Sequence, residues 1–194
     1  MKTIRTIIPA FLLSVFLFPE AASAHLVGGN GLASGLTHPL FGLDHLLAMV
    51  AVGIISVRVG GSAVWKVPVA FVSFMVLGGM LSLLGFPLSG AEFGIAMSVL
   101  LFGVMIAVSG RLSMTWAFAA VSFFALFHGH AHGTEMPSIA NPAWYAVGFV
   151  LSTAFLHAGG VLLGLAARRI RLVSGVLRFA GAGMSAAGLF FLLG

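Results

Sequence analysis

HPLFGLDHLLAMVAVGIISVRV, residues His38–Val59, is apolar enough and long enough to cross a bilayer, yet its first half carries His38, Asp44 and His45. A run of about 20 apolar residues spans the hydrocarbon core of a membrane. An ionisable group at the centre of such a helix costs about 2.5 to 3.5 kcal/mol on insertion scales, so three kept together point to use. Five further apolar segments follow: Val64–Gly85, Glu92–Ser109, Met114–His132, Pro142–Ala167 and Leu172–Leu193. The expected fold class is therefore an all-α polytopic membrane protein, a bundle of six transmembrane helices.

Composition agrees. The 194 residues are 60% hydrophobic and 7% charged, with a mean hydropathy of +1.17, whereas soluble domains carry roughly a quarter charged residues. Cysteine is absent, which excludes disulfides, thiolate metal sites and cysteine nucleophiles and leaves nitrogen and oxygen as metal donors. The net charge of +5 does not indicate nucleic acid, because the basic residues stand in ones and twos at helix ends, as topology signals do.

Residues 1–24 read as a cleaved secretory signal, and residues 25–194 as one six-helix domain. Lys2 and Arg5 form its charged region, Ile7 to Phe18 its apolar core and Ala22-Ser23-Ala24 its cleavage site. Cleavage would start the mature chain at His25, whose free amine and imidazole make a bidentate nitrogen chelate. With that start outside a bacterial inner membrane, six crossings put both termini on the periplasmic side. Arg58, Lys66, Arg111, Arg168, Arg169, Arg171 and Arg178 then all fall at inner loops, and Asp44, Glu92 and Glu135 near outer ends.

Within the first segment, Pro39 suits an opening turn, so His38 is expected at the helix mouth. His45, seven residues on, falls on nearly the same face, and Asp44 about one and a half turns inside. Asp44 is a candidate ligand, or else caps backbone or pairs with a histidine. The second constellation, FHGHAHGTE (Phe127–Glu135), ends the fourth helix, whose dipole favours a cation there. His128, His132 and Glu135 share a face, and His130 points away. No HExxH zinc-protease motif and no Walker A loop is present.

Glu92 opens the third helix as either an ordinary first-turn acid or a rim carboxylate. His157 lies alone in the inner half of the fifth helix, where it either bonds a backbone carbonyl or relays an ion. The nine methionines are spread in the manner of packing residues rather than thioether ligands. The glycines, among them Gly78, Gly103, Gly129, Gly159, Gly160, Gly181 and Gly183, read as close-packing positions between helices.

Three runs resemble the HupE/UreJ family of nickel and cobalt membrane permeases: HPLFGLDHLLAMVAVG (His38–Gly53), PLSGAEFGIAMSVLLFG (Pro87–Gly103) and FHGHAHGTEMP (Phe127–Pro137). The resemblance implies metal-site roles for His38, Asp44, His45, Glu92, His128, His132 and Glu135. His25, His130 and His157 are additional candidates from the residues alone. It also implies Ni²⁺ as the transported ion, with Co²⁺ or Zn²⁺ as alternatives, no organic cofactor, and cytoplasmic metallochaperones of urease or hydrogenase as candidate recipients. Alternatives from the residues are an intramembrane zinc-dependent hydrolase or a metal-binding protein that does not transport. Because imidazole must be neutral to ligate, uptake is expected to fall below about pH 6.5.

Overall fold

The computed structural model describes residues 31–108, 110, 112–138 and 140–193, which form seven helices and no strand among the described residues. The expected leader and cleavage site, with His25 and Arg111, lie outside the described residues. In chain order the helices are α1 (Gly31–Phe41), α2 (Leu43–Val59), α3 (Ala63–Leu83), α4 (Ala91–Ala107), α5 (Met114–Thr134), α6 (Pro142–Arg169) and α7 (Arg171–Leu193). By length and apolarity, α3, α6 and α7 each suffice to cross a membrane, and α1 with α2 make a fourth span if taken as one bent unit.

That bent unit corrects the expected first helix. The run His38–Val59 is two helices that meet at 83°, with His38 in the last turn of α1 and Asp44 in the first turn of α2. Gly42 makes the break: it is extended, at φ −82° and ψ 110°, and its carbonyl accepts the Leu46 N–H at 2.9 Å to start the second helix. A Cβ at Gly42 would sit 3.1 Å from His45 Nδ1 and 3.2 Å from Asp44 Oδ1, so a larger residue would crowd that pair. Pro39 accordingly lies inside α1 rather than in an opening turn. Apolarity runs through both halves of a bent span alike, so a hydropathy pattern does not register the corner.

Helix α2 is the centre of the bundle. It touches α1, α3, α4, α5 and α6, and from Ala48 to Val57 only Val50 is not fully buried. Glycine permits the close contacts: a Cβ on Gly53 would overlap the His157 carbonyl of α6, and one on Gly129 of α5 would overlap the Met75 carbonyl of α3. In lipid, where apolar side chains gain little by leaving the solvent, such backbone approach is the main packing device. Gly159 and Gly183, expected to pack in the same way, face open space.

The two ends of the bundle differ in charge. The Arg58 guanidinium reaches from the end of α2 to the last carbonyls of α4, donating to Met105, Ile106 and Val108. Arg178 Nε donates to the neighbouring Ala107 carbonyl at 3.1 Å. Two cations thus answer carbonyls that no further turn of α4 can pair. At the opposite end, Asn141 caps α6 by accepting the N–H groups of Ala143 and Trp144 at 3.1 and 3.2 Å, with Pro142 at the first helical position.

Candidate metal centre

The break at Gly42 and the end of α5 build one site together. His38 closes α1, Asp44 and His45 open α2, and His128 and His132 project from the last two turns of α5, with Glu135 as its C-cap. His38, His132 and Glu135 can each offer one donor atom with all three atoms within 4.8 Å of one another. His38 Nε2 lies 2.9 Å from Glu135 Oε2, and His132 Nδ1 lies 3.7 Å from the same oxygen. First-row ions bind such donors at about 2.0 to 2.2 Å, so the three donors stand close to ligating distance around one ion.

The other imidazoles continue inward from this trio. The ring of His132 lies 4.1 Å from that of His45, and His45 lies 4.8 Å from His128, centroid to centroid. His132 and His128 are buried, at 3% and 0% exposure, and neither nitrogen of His132 has a hydrogen-bond partner. Burying polar nitrogens without partners costs free energy, so this is an arrangement poised to accept something.

Hydrogen bonds fix which nitrogens are free. Asp44 Oδ1 accepts both the backbone N–H and the ring Nδ1 of His45, each at 2.8 Å. A carboxylate only accepts, so Nδ1 carries the proton and Nε2, which has no partner, keeps its lone pair. Of the two roles weighed for Asp44, the contact is thus that of a histidine partner, the arrangement by which carboxylates orient ligating imidazoles. Ser98 settles His128 in the same way: its hydroxyl proton goes to the Ile95 carbonyl at 2.6 Å, so at 2.8 Å its oxygen accepts from His128 Nε2. The lone pair of His128 is then on Nδ1, which is unpartnered.

The remaining candidates stand elsewhere. His130 is on the opposite face of α5, with Nε2 3.0 Å from the Phe86 carbonyl and 3.2 Å from the Leu88 N–H, so it ties down the α3–α4 connection. Glu92 is exposed in the first turn of α4 and makes no hydrogen bond or ion pair to the cluster among the described residues. His157 is 3% exposed, with both nitrogens unpartnered. It is separated from His128 by the fully buried Phe71, whose ring lies 5.6 Å from His128 and 5.2 Å from His157.

Several residues of the site escaped the sequence reading. Tyr145, Phe149 and Thr153 stand at four-residue intervals along α6 and lead to the already named His157. The Tyr145 ring lies 6.1 Å from His38, and the Phe149 ring 4.0 Å from His132. The spacing of four was legible once His157 was taken as an anchor, but two aromatic residues and a threonine in an apolar helix carry no signal of their own. Ser98 had none either.

Helices of this apolarity, enclosing a column of imidazoles closed at one end by a carboxylate, define an integral membrane protein with a transition-metal type of donor set. The chain belongs to the HupE/UreJ family: the family model described as HupE / UreJ protein matches residues 13–191. It is similar to Protein HupE of Rhizobium leguminosarum bv. viciae, 41% identical over 184 residues that cover 94% of this chain and 95% of the relative. No solved structure matches it. The family is one of transporter-type membrane proteins associated with nickel and cobalt, not of enzymes.

Proposed function

We propose that this protein is an inner-membrane permease that takes up a divalent transition-metal ion, Ni²⁺ first and Co²⁺ second, from periplasm to cytoplasm. The observation that carries the reading is the convergence of His38, His132 and Glu135 at the carboxylate-bearing end of the bundle. In this reading α1 and α2 form one bent span and α3 to α7 five more, with the Arg58, Arg168 and Arg178 end in the cytoplasm, as the positive-inside rule asks.

The ion would displace the proton shared by His38 and Glu135 and exchange water for their donors and His132. His45, its Nε2 lone pair held ready by Asp44, comes next, then His128 Nδ1. Passage beyond requires the Phe71 ring to move, after which His157 is the next nitrogen. Neutral imidazoles bind a first-row ion while carrying no charge themselves, so each hold is moderate, and only Glu135 and Asp44 supply negative charge. A conducting site must release what it binds. An inside-negative potential favours entry of a divalent ion by about 4.6 kcal/mol per 100 mV, twice the value for one charge, so no nucleotide is needed.

Purified protein in liposomes tests this. With an inside-negative potential, radiolabelled nickel should accumulate in vesicles that hold the protein, and His132→Ala should bring accumulation down to that of empty vesicles. Equal accumulation with and without protein would refute the proposal.

A further inference from the structure

One turn below the imidazole cluster is a group of side chains with different chemistry. Thr153 Oγ1 of α6 lies 3.3 Å from Met49 Sδ of α2 and 3.7 Å from Met75 Sδ of α3. All three residues are buried to within 1% of complete. A hydroxyl has one proton, so Thr153 can bond only one thioether at a time, and the other keeps both sulfur lone pairs free.

The placement follows the column. Met49 is four residues beyond His45 on α2, hence on the same face and about 6 Å deeper. Met75 has its backbone carbonyl against Gly129, the residue after His128. Thr153 stands on the α6 stripe between Phe149, which touches His132, and His157. Three helices therefore bring two thioethers and a hydroxyl to the stretch between the last imidazole of the outer cluster and the isolated His157.

We infer that Met49 and Met75, with Thr153 between them, form a second metal station that takes a first-row transition ion from His45 and His128 and hands it toward His157. The inference rests on the reading of the imidazole cluster as the entry site. Thioethers are soft, neutral and weakly basic donors. They accept Ni²⁺, Co²⁺ or Cu⁺ but give Mg²⁺, Ca²⁺ and Mn²⁺ nothing in exchange for lost water, so a station of this kind rejects the abundant hard cations after the carboxylate entry has admitted them. The expectation that the methionines only pack is thereby revised for these two.

Because the chain has no cysteine, any sulfur bound to nickel must come from methionine. The test is nickel K-edge X-ray absorption of the full-length protein in detergent, loaded with two equivalents of Ni²⁺. A sulfur scatterer should be present in the wild type and absent in the volume-matched double variant Met49→Leu/Met75→Leu, with the imidazole scatterers retained. Protein grown with selenomethionine, which needs no substitution, should show selenium in place of sulfur. Absence of sulfur and selenium at this loading, or sulfur that persists in the double variant, would overturn the station. Failure of the entry-site reading would register separately, as nickel accumulation in liposomes that His132→Ala leaves unchanged.

Discussion

At the residue scale, the pairing of Asp44 with His45 divides the site between groups that would touch metal and groups that aim them. Asp44→Asn keeps the shape but offers an amide, which lets His45 flip its proton to Nε2 and hide the lone pair. Loss of such a carboxylate partner ordinarily weakens metal binding about 10- to 100-fold. We predict a fall of that size in nickel affinity by titration calorimetry; unchanged affinity would show that Asp44 does not orient the ring. His130 gives the converse case. Its contacts go to Phe86 and Leu88, so His130→Gln should leave initial nickel uptake close to wild type while lowering thermal stability. The sequence named every imidazole of this column, because a histidine in an apolar helix is conspicuous. It left the role of Asp44 open, since a ligand and a ligand's partner look alike until the neighbouring ring is in place.

At the element scale, the decisive feature is the corner at Gly42. An unbroken helix would align His38 and His45 on one stripe. The 83° bend instead turns α1 back across the end of α6, where Gly35 and Gly148 lie against the carbonyls of Tyr145 and Leu32, and brings His38 to Glu135 from the side. Non-helical backbone is tolerated at such depth where it lines a polar site rather than lipid. The spacing of the segments was legible from hydropathy, and all five later helices begin within a residue or two of the expected positions. The corner was not, since glycine is also the commonest packing residue in these helices and its two uses share one letter. For α3 and α5, Gly129→Ala puts a methyl into the Met75 carbonyl, and we predict a loss of about 1 to 3 kcal/mol, the usual cost of overpacking. Thermal unfolding in detergent measures it; an unchanged midpoint would mean that the two helices are less tightly held than their contact implies.

At the scale of the whole molecule, charge is distributed by end. Carboxylates and imidazoles lie at one end and guanidiniums at the other, where Arg58 and Arg178 close α4. Arg58→Met should cost about 1 to 2 kcal/mol, the lower part of the range for hydrogen bonds from a charged donor, because Arg58 is only partly buried. It should leave the nickel affinity of the opposite end unaltered. The column also sets a pH dependence for transport. Its nitrogens bind metal only when neutral. Nickel uptake into liposomes should therefore decline once the outer solution is made acid enough to protonate them. Uptake that rises steadily as the outer pH is lowered would contradict imidazole as the first carrier of the ion.

The claim on which the rest depends is that α1 and α5, meeting beside the start of α2, hold one ion between them. A nickel-edge anomalous difference map from crystals grown with Ni²⁺ tests it directly. The account predicts a peak within bonding distance of His132 and of at least two among His38, His45 and Glu135. A map whose strongest peak lies at His130, Glu92 or the molecular surface, with nothing beside His132, would contradict it.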